Sequence, residues 1–202
     1  MLQRASAASA RRSCQTLGGS QSNMPTQRVV FAGGPGSGKT TLLHALQLRG
    51  HAVVADSARV IIQARRSRSL SPRPPPLEFA RAILRQDIQQ YGEQASASGV
   101  VFFERGVVDA LGMLHELGAL PDNELRTSLL AYPYHRQVFF FPPWEAIYAT
   151  DAERDQTFVE AAYVYRVASE WYQRCGYEVV EVPKLGVVER CAYVLQSLGA
   201  AA

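Results

Sequence analysis

The chain has 202 residues, 47% of them hydrophobic and 19% charged, with a formal net charge of +3. That length suits one α/β domain with a sizeable core. No apolar run nears the roughly 20 residues that span a bilayer, and the three cysteines (Cys14, Cys175, Cys191) show neither disulfide nor metal spacing, so a cytoplasmic protein with reduced thiols is expected and a membrane span, a disulfide framework or a zinc site is not.

The charge is uneven. Residues 1–76 hold eleven Lys/Arg and a single acid, Asp56, whereas residues 77–202 hold ten Lys/Arg and seventeen acids. A basic first part suits a polyanionic ligand such as a nucleoside triphosphate, and would also suit anionic lipid. Nothing resembles an aromatic stacking platform or a reading helix, which argues against a nucleic-acid partner.

Residues 1–24 are rich in Ser, Ala, Gln and Arg and contain no acid. They read either as a transit peptide or as a disordered extension upstream of a start at Met24, and are set aside in both cases. Residues 25–202 are then expected to form one domain.

Arg28 to Ala32 is a short apolar run of strand type, and Leu42 to Leu48 has a helical pattern. Between them stands Gly33-Gly34-Pro35-Gly36-Ser37-Gly38-Lys39-Thr40-Thr41, which fits G-x-x-x-x-G-K-[ST] in full. A glycine-rich turn from strand to helix aims backbone N–H groups into one concavity, and the helix N-terminus adds its partial positive charge. Lys39 is expected at the β- and γ-phosphates and the Thr40 hydroxyl on Mg²⁺. The chain has only two lysines, and one of them stands here.

Ala52 to Ala55 reads as a second buried strand ending at Asp56, with a helix from Ser57 to Ala64. Residues 65–76 hold four prolines and read as a loop. Its arginines form either a solvated face or a cover over an anionic acceptor. Leu77 to about Ser96 is a long helix, with Leu77, Ala80, Leu84, Ile88 and Tyr91 expected toward the core. Val100 to Phe103 is a strand ending at Glu104-Arg105-Gly106. Helices over 107–117 and 122–131 precede a strand at 137–141. The polar stretch 144–157 precedes a helix whose core positions include Phe158, Ala161, Tyr165 and Tyr172. A strand over 177–182 and a helix from about Val187 to Leu198, with Cys191, Val194 and Leu195 inward, close the chain. Five short strands alternating with helices predict an α/β fold with a five-stranded, mainly parallel sheet covered on both faces. Ligands of such sheets bind at the carboxyl ends of the strands.

The polar residues that end the strands are therefore the candidates. Glu104, after four apolar residues, is placed to hold Mg²⁺, or to cap the next helix. Asp56 is a candidate base toward an acceptor hydroxyl, or an N-cap. Glu104, Arg105 and Asp109 cluster where an acceptor would sit, Arg59 shares a helix face with Asp56, and either arginine is suited to bind a phosphate or carboxylate; for Arg59 and Asp109 the alternative is a structural ion-pair network. Asp151, Glu153 and Arg154 occupy the lid position of small phosphotransferases. An arginine there, Arg154 ahead of Arg166, would neutralise charge on the transferred phosphoryl group; the alternative is a solvated charge run.

Together, residues 31–41, Asp56-Ser57-Ala58-Arg59 and Phe102-Phe103-Glu104-Arg105-Gly106-Val107-Val108-Asp109-Ala110-Leu111 resemble an AAA-type predicted ATPase family of small P-loop proteins. That family includes the TRPL-translocation-defect-like proteins and is similar to ribosylnicotinamide kinase domains. Val138 to Pro143, Tyr148 with Asp151 and Glu153-Arg154, and Gly176 to Pro183 followed by Val188-Glu189-Arg190 extend the resemblance over about residues 27–198. It implies a nucleoside-kinase-like P-loop fold that binds ATP or GTP with Mg²⁺. It places Gly33 to Thr41 at the phosphates, Glu104-Arg105 near metal and acceptor, and Arg154 in a lid around residues 144–157. The family pattern has Asp where Glu104 stands and Glu at or beside Asp56, so charge is kept and geometry altered. An ATPase or small-molecule kinase acting on a hydroxyl acceptor is the first expectation. A slow NTPase module that binds a phosphoinositide or protein partner in a nucleotide-dependent way is the second.

Overall fold

The structure, a computed structural model, describes residues 26–148 and 157–199. The elements in chain order are β1 (Gln27–Gly33), α1 (Lys39–Leu48), β2 (Ala52–Val54), α2 (Ser57–Arg66), α3 (Pro76–Glu93), β3 (Val100–Glu104), α4 (Val107–Glu116), α5 (Asp122–Ala131), β4 (Gln137–Phe141), α6 (Phe158–Arg174), β5 (Glu178–Glu181) and α7 (Val187–Ser197). A single 3-10 turn spans Glu145–Ile147. Among the described residues no helix is long and apolar enough to cross a membrane.

The five strands form one sheet in the order β2-β3-β1-β4-β5, with every pairing parallel. Side chains alternate between faces along each strand, so continuous apolar runs feed two cores. Val30, Ala32, Val101, Phe103, Val138 and Phe140 face α2, α3, α4 and α6. Val29, Phe31, Phe102, Phe139 and Phe141 face α1 and α7, together with Leu42, Leu46, Cys191, Val194 and Leu195. On that second face Phe31 lies between Phe102 and Phe141, at centroid distances of 5.2 and 5.0 Å in tilted geometry. Such aromatic pairs add roughly 0.5–1.5 kcal/mol beyond their buried area. The central strand β1 is thus rigidly held, and the loop it launches starts from a fixed point.

Three readings of the sequence change. The helix of α2 runs on through Arg65 and Arg66, which sit in its last turn where cations complement the helix dipole. Pro76 opens α3 at its first position, where its missing N–H is no loss; the connecting loop is accordingly shorter than residues 65–76. Leu77 is 49% exposed. It lies in the first turn, and the inward stripe of α3 is instead Phe79, Ala80, Ile83, Leu84 and Asp87. In α6 the fully packed end is Trp171 beside Tyr172. The Trp171 indole N–H donates to Val108 O at 2.9 Å and rests against Gly112, where a Cβ would stand 2.9 Å from the ring.

Candidate active site

The loop from β1 to α1 is shaped by its glycines. Gly36 and Gly38 have φ of 70° and 84°, a region that costs L-residues with a Cβ about 1 kcal/mol or more. A Cβ on Gly34 would stand 2.4 Å from the Ala161 carbonyl oxygen, so the loop is pressed against α6. Gly38 is the N-cap of α1, and no side chain caps that end; the first N–H groups of a helix have no partner within it, which is the arrangement that binds phosphate.

Lys39 is buried, 5% exposed. Its Nζ donates to Gly34 O at 2.7 Å and to Gly33 O and Ser37 Oγ, each at 3.3 Å. Burial, aided by the nearby Arg105 charge, lowers its pKa to about 8. The ammonium is thus tethered by loop carbonyls in a setting that favours an anion beside it.

At the end of β3, Glu104 is 7% exposed. Thr40 Oγ1 lies 2.8 and 3.0 Å from its two carboxylate oxygens and donates its proton there. A hydroxyl and a carboxylate this close are hard oxygen donors of the kind Mg²⁺ takes, with the remaining positions left to water and substrate phosphates. Among the described residues no group of three or more His, Cys, Asp or Glu forms an all-protein metal cage.

Arg105 follows with φ of 67°, an uncommon backbone state for a non-glycine residue. Its N–H donates to Phe31 O at 3.0 Å, which continues the β1–β3 pairing by one residue. Its guanidinium Nη2 donates to Gly33 O at 2.9 Å, Nη1 pairs with Asp109 at 3.2 Å, and Nε lies 3.4 Å from Asp56 Oδ2. These carboxylates hold the guanidinium firmly charged despite its burial. Asp109 also accepts from Tyr172 OH at 2.6 Å and from Gly106 N–H at 3.0 Å. Burial pushes its carboxyl upward, while Arg105 pulls it down. Asp56 Oδ1 accepts from Ala58 N–H at 2.8 Å, which makes it the N-cap of α2, and its second oxygen faces Arg105.

One cavity of about 980 Å³ joins these parts, at the large end of the roughly 300–1,000 Å³ typical of small-molecule sites. Residues 35–41, Asp56, Arg59, Glu104, Arg105 and Asp109 line it, and so do Arg73, Phe79, Ile83, Asp87, Met113, Trp171 and Arg190. Gly33 and Gly34 do not line it; their carbonyls hold Lys39, Ser37 and Arg105 in place. Arg154, with Asp151 and Glu153, lies outside the described residues. Arg166 does not line the cavity: it lies on the exposed side of α6, 3.5 Å from Glu170 and 5.4 Å over the ring of Tyr163, which does. Two lining residues have no site role in the sequence reading, where Arg190 enters only within the Val188-Glu189-Arg190 part of the resemblance. Asp87 and Arg190 are 5% and 4% exposed, yet occupy helix positions where apolar residues are expected. The available signal for Asp87 is its place three and four residues after Leu84 and Ile83, inside the buried stripe. Asp87 accepts a hydrogen bond from Ser57 Oγ, and burial raises its pKa to about 8.

A family model described as an AAA domain matches residues 28–190. The chain belongs to this AAA-domain family. The matched span runs from β1 to the first turn of α7 and so contains every described residue of the site. No curated protein matches by sequence. Solved structures of similar fold include thymidylate kinase from Candida albicans, at 12% identity and a TM-score of 0.62, over 86% of this chain and 91% of that one. Another is deoxyadenosine kinase from M. mycoides with bound dATP, at 12% identity and a TM-score of 0.57, over 86% of this chain and the whole of the other. A third is the NadR protein in complex with NR, at 15% identity and a TM-score of 0.62; 87% of this chain covers 52% of that one. At these identities the likeness speaks for the fold. This family member therefore has the P-loop architecture found in nucleoside and nucleotide kinases.

Proposed function

We propose that this AAA-domain family member binds ATP or GTP with Mg²⁺ at residues 33–41 and transfers the γ-phosphoryl group to a hydroxyl of a small acceptor. The observation that carries the reading is the single cavity shared by the phosphate loop and the Asp56–Arg105–Asp109 cluster. A donor held by the loop and an acceptor held by the cluster would share one cleft. Phosphoryl transfer needs mainly positioning and charge neutralisation, and both are supplied by groups already in place.

Lys39 exchanges its carbonyl partners for phosphate oxygens. Thr40 and Glu104 would hold the metal, which would supply charge neutralisation to the phosphates when bound. Arg105, fixed by two carboxylates and the Gly33 carbonyl, offers its cation to the acceptor side. Asp56 is the N-cap of α2 and, through the oxygen that faces Arg105, the base toward the acceptor hydroxyl. Asp109 positions Arg105, and Arg59 and Arg73, which line the same cavity, would bring positive charge to the acceptor. Arg154 acts from the segment between β4 and α6.

The test is incubation of the purified chain with Mg·ATP or Mg·GTP and a metabolite extract, followed by mass spectrometry. A metabolite that gains one phosphoryl group with wild type, and not with Lys39→Ala, supports the reading. Nucleotide binding without any phosphorylated product over broad acceptor panels refutes it and favours a slow NTPase module.

A further inference from the structure

Arg190 lies in the first turn of α7 and is 4% exposed. Its guanidinium packs against the phosphate loop: Nη1 lies 2.8 Å from where a Cβ on Gly38 would stand. Trp144 carries it from another side, with the guanidinium carbon 5.5 Å from the ring centroid. Among the described residues the side chain makes no hydrogen bond and no ion pair, and its Nε is buried without a partner. The acid next to it, Glu189, instead folds back on Gly186.

A cation taken from water without a counter-charge is strongly unfavourable, and burial lowers the pKa of this arginine. Trp144 returns part of that loss through its ring face but supplies no acceptor for the N–H groups. The arginine also lines the cavity that holds the phosphate loop, beside the N-cap of the helix whose dipole favours an anion. Gly38 thus has a second role. Its φ of 84° excludes most residues, and its missing side chain leaves the space that Arg190 fills.

We propose that Arg190 is a second cationic contact for the polyphosphate of the donor nucleotide, held by Trp144 and Gly38 at the α7 side of the phosphate loop. The ligand class is a nucleoside di- or triphosphate recognised through its phosphates. The inference rests on the donor-binding reading above and adds to it a residue outside the P-loop motif.

The experiment is calorimetric titration of the full chain, wild type and Arg190→Gln, with ATP and with inorganic tripolyphosphate, alongside thermal unfolding without ligand. A lost charge-assisted contact predicts about 10- to 100-fold weaker binding of both ligands. The unliganded midpoint should be unchanged or higher, because an uncompensated buried charge has been removed. Weaker ATP binding with unchanged tripolyphosphate binding would move the contact to base or ribose and overturn the proposal. So would normal binding of both ligands with a lowered unliganded midpoint. Wild type that binds neither ligand would overturn the donor reading and this inference together; normal binding by the variant overturns the inference alone. Should Arg190→Gln not fold, Arg190→Lys carries the test, with an intermediate loss for both ligands expected and no loss contradicting it.

Discussion

Replacing Arg105 with Met tests the charge cluster at the strand ends. The substitution keeps an unbranched side chain and removes the guanidinium. Three contacts disappear: the pair with Asp109 at 3.2 Å, the pair with Asp56 at 3.4 Å and the bond to Gly33 O at 2.9 Å. Breaking a fully buried pair costs about 3–5 kcal/mol. Two features reduce that figure here. The arginine side chain is 24% exposed, and Asp109 keeps its donors Tyr172 OH and Gly106 N–H. We expect a loss of about 2–4 kcal/mol near neutral pH, a large share of the roughly 5–15 kcal/mol of a typical domain. The loss depends on pH with a definite sign. The Asp109 carboxyl is already raised by burial, and Arg105 opposes that rise, so its folded pKa climbs further in the variant. The unfolded chain ionises this group at its ordinary value while the folded variant holds the proton, so stability falls as pH rises through the interval between them. Urea unfolding at about pH 5 and about pH 8 should show a larger deficit at the higher pH. A deficit under about 0.5 kcal/mol, or one that is larger at the lower pH, would refute the assigned coupling.

Three further substitutions probe other parts. Gly34→Ala places a Cβ 2.4 Å from the Ala161 carbonyl oxygen. It should cost about 1–3 kcal/mol in thermal unfolding and weaken nucleotide binding, since the Gly34 carbonyl holds Lys39 and Ser37; unchanged unfolding would show that the loop has room. Thr40→Val removes the hydroxyl beside Glu104 and should raise the Mg²⁺ concentration needed for half-maximal turnover about 10- to 100-fold. Metal-free nucleotide affinity should stay at the wild-type value, and an equal loss in both would remove the metal role. Asp87, held near a pKa of about 8 against an ordinary 3.8, stays protonated when folded while the unfolded chain ionises. Its stabilising contribution is complete below the unfolded pKa and is lost as pH rises through the folded one. Between about pH 5 and about pH 8 the wild-type midpoint should fall more steeply than that of Asp87→Asn; parallel profiles would contradict the burial assigned to this carboxyl.

What the sequence made legible follows from where apolar residues run unbroken. Val100 to Phe103 feeds both faces of the sheet, so its end at Glu104 stands out as an acid with a purpose. The phosphate loop carries its own spacing. Arg105 was visible as a residue, but its positive φ and its reach back to Gly33 O depend on β1 and β3 being neighbours in register, a non-local fact. The burial of Asp87 and Arg190 stayed hidden for a related reason. A charged residue inside an amphipathic stripe reads as a break toward solvent, and only the packing of α3 and α7 against the cavity reveals that it is covered. Leu77 shows the converse, since helical spacing cannot tell that a first turn precedes the point where the helix meets the sheet. The acceptor residues proposed from the sequence gather at one cavity, whereas Arg166 does not join them.

Phosphoryl transfer to an acceptor is measured most directly by following the label from γ-³²P-labelled nucleotide in a single reaction with Mg²⁺ and a metabolite extract. Most label should appear in an organic phosphate ester, and this transfer should be lost in Lys39→Ala. Label released only as inorganic phosphate, at a rate unaffected by the extract, would contradict it.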